Sequence, residues 1–583
     1  MASEKIINPF EYEAAVNFAA DELIEYFVED HNYSRFIQSG RNIFLVGERG
    51  CGKSMTLLYN SYQKQILKHK KENTIFDYSK IGIYIPCTNS LFFKKEYELL
   101  NNPFKVAVIS EHFFVLAIAY ELVNALSIIE CSISPEKQKE LRLDLNYILN
   151  IDLPAEYSLF SGLSKYLQKL SSETQLQINT NEDSFSDRCV SFYSLVIPLV
   201  RIIKSIEKFR NTHFLFLIDD AHDLNNAQIK SLNSWIAYRD HSDFSFKVAI
   251  AKIRSHTYIT ASGSPILEGH DFLKIDMEKP YQNKFSDFGQ WAKDIVIRRL
   301  EKIGVENYAP EKFFPLNAAV AAELKKCEEK VRKEAEERFK DDDKRQKKIS
   351  DYVYKYARAE YFKSRPAKAN LPQYSGWETI VNLSTGVIRN LLYPCYWMYD
   401  KEFSLLNEKN KATKVKFIKP VNQDAVIKEK SQELWHKIDN DLFNNIPGCS
   451  TTQALQIKNF FEALVLLFKE RLLADASEPR AITFTISARN ELSASNLLEL
   501  DELLRISKEA TLLYDRVSSA KEMGEREIYY VPNRLLLPIR GLDVVGQHSR
   551  VSIKAIELYK AATEKKKINS KEITQQTLFD YEY

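Results

Sequence analysis

No two of the seven cysteines, Cys51, Cys87, Cys131, Cys189, Cys327, Cys395 and Cys449, form a C-x-x-C motif, and their number is odd. Thiols scattered in this way suggest neither a zinc site nor a disulfide framework, and they fit a reducing cytosol. The chain also lacks a surplus of either charge: 81 Lys and Arg stand against 79 Asp and Glu, a net charge of +2. That excludes a global basic field, so any contact with nucleic acid must come from a local patch. Behind Met1-Ala2-Ser3-Glu4-Lys5 there is no apolar signal core. The most apolar helix-like run, Phe113 to Ile129, is broken by Glu121 and Asn124 and reads as too short and too polar to span a bilayer. No nuclease, protease or deaminase constellation is visible. What remains is an ordinary globular composition with room, at 583 residues, for several domains and a large core.

The stretch that carries chemistry is Gly47-Glu48-Arg49-Gly50-Cys51-Gly52-Lys53-Ser54. An apolar run, Ile43 to Val46, precedes it, and a helical pattern starting at Met55 follows. The spacing is that of the P-loop. Glycines let the backbone curl so that its N–H groups face a phosphate, and the helix N-terminus adds positive potential. Lys53 supplies a point charge to the β- and γ-phosphates, and Ser54 offers a hydroxyl to Mg²⁺. A glycine-rich turn without a ligand is the bland alternative; the strand before it and the helix after it speak against that.

Residues 8–40 read as a helical preamble, packed near an adenine or merely structural. Ile81 to Pro86 is a second buried strand, and residues from about 90 to 210 read as a helical insertion. His213 to Ile218 then leads into Asp219-Asp220, an apolar strand ending in two acids. A buried parallel strand is uniformly apolar, and its carboxyl end faces the ligand crevice. Asp219 is the candidate for holding Mg²⁺. Asp220 either orients the attacking water or merely caps the next helix. Phe246 to Ala251 is a further strand, ending at Lys252-Ile253-Arg254-Ser255, where a γ-phosphate sensor belongs. Phe272 to Asp276 is the fifth strand. Strands alternating with helices predict an α/β fold with a parallel sheet flanked by helices.

Residues 286–402 read as a helical lid, with one long charged stretch over 318–363 whose sparse apolar side is Leu324, Val331 and Phe339. Lysines alternating with acids suit a solvated helix better than a basic arm on nucleic acid. Within Leu383-Ser384-Thr385-Gly386-Val387-Ile388-Arg389-Asn390, Arg389 on a helix's opening turn suits a second phosphate sensor, or else a surface salt bridge. Residues 403–450 read as a linker. Over 451–560, helices followed by a hairpin, Leu512 to Arg516 and Ile528 to Val531, suggest a winged-helix-like domain. Its wing carries Arg516, Lys521 and Arg526, for DNA or for a protein. Residues 561–583 read as a mobile tail.

With these residues placed, the chain resembles the origin-recognition and helicase-loader-like clade of AAA+ ATPases, and a bacterial group with that core often found among antiphage defence genes. The likeness is carried by Asn8-Pro9-Phe10 through Gly40, Asp219-Asp220-Ala221 with Leu232-Asn233, Leu267 to Phe272, Leu383 to Asn390 and Asn533 to Pro538. It implies an AAA+ core with a lid and a C-terminal winged-helix-like domain. It implies ATP held by residues 47–55, Gly47 through Met55, and Mg²⁺ held by Ser54 and Asp219. Catalysis would fall to Lys53, Asp220 and Arg389. Two departures stand out. Such enzymes usually carry Asp-Glu where this chain has Asp219-Asp220, which implies slow, switch-like hydrolysis, and no clear Asn stands at the first sensor. Arg239 and Arg254 are the candidates for an arginine finger. The resemblance implies a cytoplasmic homo-oligomer or a complex with an effector protein, no membrane, and DNA as a further partner. A nucleotide-stabilised scaffold without hydrolysis is the alternative. In the tail, Gln575, two spacers, then Leu578-Phe579 resembles the peptide by which bacterial proteins dock on the replication sliding clamp; packing back on the domain is the other reading.

Overall fold

The computed structural model describes residues 8–11, 15–29, 33–87, 97, 100–180, 189–238, 242–252, 256–278, 288–305, 309–365, 372–407, 415–474, 476, 478–518, 527–546 and 549–569. The chain divides into two compact units. Glu13–Met277 forms one, and Met1–Tyr12 with Glu278–Tyr583 forms the other.

The first unit is built on strands β1 (Ile43–Gly47), β2 (Lys80–Pro86), β3 (His213–Asp219), β4 (Phe244–Ala251) and β5 (Leu273–Asp276). They pair in the order β2-β3-β4-β1-β5, every pair parallel. β1 and β4 are buried along their whole length, as strands covered on both faces must be. Phe44, Phe216 and Phe246 of the sheet share one core with Phe114 and Ile118 of the helix Pro103–Leu126 and with Trp235 of the helix Asn226–Ala237.

Between β2 and β3 stand the helices Pro103–Leu126, Pro135–Leu149, Leu159–Thr180 and Ile197–Lys204. Asn102 starts the first, its side chain accepting from the amides of Phe104 and Lys105, with Pro103 opening the helix. The run Pro103–Glu130 is longer than its sequence suggested and, at a mean hydropathy of 1.8, apolar enough to cross a membrane by length and composition. Of its most apolar 18 residues 67% are buried inside the protein, so it serves as a core helix. His112 fixes it to its neighbours. Its Nδ1 accepts from the Val190 amide at 3.0 Å and its Nε2 meets the Thr174 hydroxyl at 3.1 Å. Burial pushes its pKa down to about 4, so the ring is neutral near pH 7.

Several expectations are corrected. Among the described residues the preamble is not one continuous helical run: it has α-helices at Ala20–Tyr26 and Ser34–Ile37 and a 3-10 turn at Ala15–Asn17. Asn8-Pro9-Phe10 belongs to the second unit: Asn8 donates to the Tyr396 carbonyl at 2.9 Å, and Phe10 lies fully buried against Phe313, Phe314 and Tyr399. The charged stretch is two helices, Ala318–Arg338 and Arg345–Lys363, folded onto one another through Val331, Ala335, Ile349 and Val353. Each helix alone has too thin an apolar side to bury; the pair makes a small core. The stretch read as a linker contains the 21-residue helix Pro420–Asn440, whose Val426, Ile427, Trp435 and Ile438 are buried. Trp435 donates to the Leu536 carbonyl at 3.0 Å. The tail reading begins too early: the helix Ala555–Glu564 covers its first residues, and Ile568 is buried beyond it. Residues 570–583, with the clamp-like peptide, lie outside the described residues.

The C-terminal part is the winged-helix arrangement. Helices Thr451–Leu473, Ala494–Glu509 and Ala555–Glu564 accompany a second sheet. Its strands are β6 (Phe484–Ser487), β7 (Leu513–Val517), β8 (Ile528–Pro532) and β9 (Val551–Lys554), ordered β7-β8-β6-β9. Buried charge holds it to the charged hairpin. Arg358 grips Asp543 with two bonds, of 2.9 and 2.7 Å, and Arg480 Nη1 lies 3.7 Å from the same carboxylate. Asp543→Ala leaves the buried Arg480 and the half-buried Arg358 without their anion. It should cost about 3–5 kcal/mol in denaturant unfolding of the purified chain. Glu360→Gln, at the exposed Lys330–Glu360 pair, should leave the midpoint where it is.

Candidate nucleotide site

The carboxyl end of β1 runs into the loop Gly47 to Ser54, and the loop into the helix Lys53–Tyr59. Gly50 and Gly52 have φ of 87° and 100°, a region that residues with a Cβ avoid. Gly47 is needed for a different reason: a Cβ there would lie 2.6 Å from Cys51 Sγ. Glu48 and Cys51 are buried, whereas Arg49 is exposed. Met55 packs beside Leu23, Phe27, Leu58 and Tyr59. The amides of Lys53 and Ser54 stand in the helix's first turn, where a helix offers its N–H groups no internal partner. The Lys53 ammonium, also buried, donates to the carbonyls of Gly47 at 2.9 Å and Glu48 at 3.0 Å. A phosphate would replace neutral carbonyl partners with a charged one, which binds an ammonium more strongly.

β3 delivers the two acids to the same end of the sheet. Asp219 is 2% exposed and accepts from the Tyr84 hydroxyl at 2.8 Å and from the Asp220 amide at 3.0 Å. Burial raises its pKa; the Ser54 hydroxyl, its Tyr84 and Asp220 partners and the charge of Lys53 act the other way. The structure thus joins Ser54, Lys53 and Asp219. Hydroxyl and carboxylate oxygens are the donors a hard cation takes, and Mg²⁺ commonly uses one or two protein oxygens beside phosphates and water. Among the described residues no group of three His, Cys, Asp or Glu could hold a metal on its own. The residues present fit Mg²⁺ bound together with a nucleotide.

Asp220 does not cap a helix. It adopts a left-handed φ of 51°, and its side chain makes no cap hydrogen bond to the short turn Ala221–Asp223. The long helix that follows, Asn226–Ala237, is capped by Asn225 in a reciprocal pair with Gln228. The Asp220 side chain stays 36% exposed, with His222 Nδ1 3.9 Å from its Oδ1. Burial first, and the Asp219 charge second, push its pKa up. A carboxylate so placed is available as an acceptor for water.

Tyr84 was not foreseen. Its role depends on the β2–β3 register, which pairs Tyr84 with Leu217 and Pro86 with Asp219, and no local pattern announces that pairing. Burial and the Asp219 charge raise its pKa, so it remains a donor. Lys252 follows β4, the strand between β3 and β1. Its amide donates to the Gly47 carbonyl at 3.2 Å, and its Nζ lies 3.9 Å from Asp276 Oδ2. An ammonium therefore stands where the sequence offered no sensor Asn. Arg239 and Arg254 lie outside the described residues.

Arg389 belongs to the second unit. It is exposed on the first turn of the helix Ile388–Asn407 and makes no hydrogen bond or ion pair among the described residues. Before it, Thr385 and Gly386 have φ of 55° and 80°. A β-branched residue in that region is strained by roughly 1–2 kcal/mol. The basic wing is corrected: Arg516 is 5% exposed and pairs with Glu278 at 2.6 Å, so it faces no ligand, while Lys521 and Arg526 lie outside the described residues.

The model of a family described as ORC-CDC6-like matches residues 8–553. Among solved structures, the crystal structure of Cdc6p from Pyrobaculum aerophilum aligns at 11% identity and a TM-score of 0.28, over 96% of this chain and 97% of that one. No curated protein matches the sequence. If the loop holds phosphate through Lys53, then Lys53→Ala should weaken binding of a fluorescent ATP analogue by about tenfold or more. Affinity equal to that of the unmodified chain would remove the loop from consideration.

Proposed function

Since the chain belongs to the ORC-CDC6-like family, its residues 8–553 matching that family's model, we propose that it is an AAA+ switch that binds ATP with Mg²⁺ and hydrolyses it slowly. The observation that carries this reading is the meeting of three groups from two strand ends: Lys53, Ser54 and Asp219, the last buried, with the Ser54 hydroxyl and the Lys53 charge both favouring its charged form. Mg²⁺, when bound, supplies positive charge to the phosphate oxygens. Loop amides and Lys53 hold the phosphates, and Ser54 and Asp219 offer oxygens to the cation. Asp220 orients a water and accepts its proton as the water's oxygen bonds to the γ-phosphorus. The bond to the bridging oxygen breaks, giving ADP and phosphate. Arg389 is assigned the second contact to phosphate. An Asp at position 220 reaches less far than the usual Glu, which accounts for a slow rate.

The finer reading is action on a partner effector or on DNA, as an oligomer, within bacterial antiphage defence. It rests on the likeness of the sequence to that bacterial group. Within it, the described C-terminal domain favours a protein partner over DNA. Its wing arginine is buried in an ion pair, and its helix Ala494–Glu509 carries Glu499, Asp501, Glu502 and Glu509 against Arg505 and Lys508. A helix of that charge is poorly suited to a phosphate-lined groove.

The test is ATP turnover by the purified full chain with Mg²⁺, with and without duplex DNA. Slow turnover is expected, and Asp220→Asn should lower it by roughly 10²–10⁴ while nucleotide stays bound. DNA should change the rate little. Nucleotide binding without turnover, with or without DNA, would favour the scaffold instead.

A further inference from the structure

At the end of β3 the chain turns sharply, and one imidazole is sunk between two carboxylates of that turn. Asp220 enters it with a left-handed φ of 51°. Backbone of this kind in a residue other than glycine persists only where its surroundings over-determine it. Main chain closes the turn: the Asp223 amide donates to the Asp220 carbonyl at 2.9 Å, and the Leu224 amide to the Ala221 carbonyl at 3.3 Å. Ala221 is fully buried and anchors the turn in the core shared with the sheet. His222 folds inward. Its side chain is 6% exposed, against 36% for Asp220 and 32% for Asp223. Its Nδ1 lies 3.9 Å from Asp220 Oδ1, and its Nε2 lies 4.0 Å from Asp223 Oδ1. Each ring nitrogen therefore addresses one acid. Of the charges that favour the ionised Asp220 carboxylate, His222 stands first and Lys53 second. All of these residues belong to the first unit, as do Ser54 and Asp219.

Closing the turn does not require the ring, since main-chain bonds and Ala221 already do it, and an exposed imidazole beside two acids would gain little. Burial against one oxygen of Asp220 achieves something else: it gives that carboxylate a direction. We infer that His222 is a positioning residue for Asp220, holding Oδ1 through Nδ1 so that Oδ2 meets the water that attacks the terminal phosphate of the nucleotide. This rests on the reading of Asp220 as the group that orients and deprotonates that water. A carboxylate on a short side chain has little room to correct a wrong setting, and a misplacement of about 1 Å can cost a hundredfold in rate. Asp223 keeps the ring in place from its other nitrogen. At 3.9 Å the Asp220 contact is an ion pair; contacts between catalytic groups are often long outside the complex with substrate and tighten within it.

The experiment uses the full chain and measures, for each variant, ATP turnover with Mg²⁺, affinity for a fluorescent non-hydrolysable ATP analogue, and melting temperature as a check of folding. The variants are Asp220→Asn, His222→Ala, His222→Asn and His222→Gln. An Asn amide nitrogen stands where Nδ1 stands, and a Gln amide nitrogen where Nε2 stands. His222→Asn therefore keeps the contact to Asp220, and His222→Gln keeps only the contact to Asp223. His222→Ala and His222→Gln should lower kcat by about ten- to a hundredfold and leave analogue affinity unchanged. His222→Asn should retain most of the rate. None of the three should lower the rate further on top of Asp220→Asn, the mark of a group that acts through Asp220. If the unmodified chain does not turn over ATP, or Asp220→Asn leaves turnover unchanged, the reading of Asp220 fails and the inference falls with it. If Asp220→Asn lowers turnover but His222→Gln does not, the inference alone is overturned. A rate for His222→Asn as low as that for His222→Gln also overturns it, as does a loss of analogue affinity that follows the loss of rate, because the ring then supplies packing rather than direction. Should His222→Ala not fold, the comparison of His222→Asn with His222→Gln decides, since both keep much of the ring's volume.

Discussion

The first unit is arranged around one buried carboxylate. Asp219 is 2% exposed, and an ion withdrawn from water to that degree costs several kcal/mol unless it is compensated. The compensation comes from three parts of the chain at once. Tyr84 at the end of β2 donates a hydroxyl, the Asp220 amide donates from the chain itself, and the first turn after β1 supplies the Ser54 hydroxyl and the Lys53 charge. The Tyr84 bond alone spans 135 residues. A parallel sheet with β2 beside β3, and β1 on the other side with β4 between, brings these ends to one place. Topology and site are two statements of the same electrostatic requirement.

Much of that requirement can be read from the sequence, because its parts are local. The loop from Gly47 to Ser54, the apolar strand ending in Asp219, and the strand–helix alternation are short patterns with a physical cause. What could not be read depends on pairing across the chain. Tyr84 looks like an ordinary strand residue until the register sets it beside Asp219. Whether Asp220 caps a helix was undecidable from residue type; the capping pair Asn225 and Gln228 decides it. The stretch 403–450 is polar on average, so it read as a linker. Yet Pro420 opens a helix with enough buried residues on one side to pack, and Trp435 finds its partner at Leu536. The charged stretch 318–363 failed in the opposite way. Its helical nature was plain, but the fold-back that lets two thin apolar stripes cover each other was not.

Arginine in the second unit shows why residue charge is a poor guide to a partner. Arg358, Arg480, Arg516 and Arg534 could each be counted toward a basic surface. Arg358 and Arg480 instead converge on Asp543, Arg516 pairs with Glu278, and Arg534 binds Asn382 and Thr385. The guanidinium suits such work, since its planar donors can serve several carbonyls and carboxylates while staying charged. Arg480 illustrates this, donating to the carbonyls of Val545, Lys355 and Tyr354 as well. These side chains act as struts between helices and sheet, and they are subtracted from any surface offered to nucleic acid.

The point where the chain passes between units gives these struts a consequence. The first unit ends at Met277 and the second resumes at Glu278. Each residue is anchored within its own unit: the Tyr33 hydroxyl donates to the Met277 carbonyl, and Arg516 holds the Glu278 carboxylate. β5 ends at Asp276, so the anchor on Met277 continues the sheet that carries the loop Gly47 to Ser54. The anchor on Glu278 is the same guanidinium that donates to the Thr385 carbonyl before Arg389. One side chain thus joins Glu278, where the second unit resumes, to the turn before its exposed arginine. A displacement of β7 cannot move one without the other, because both bonds leave the same rigid, planar group.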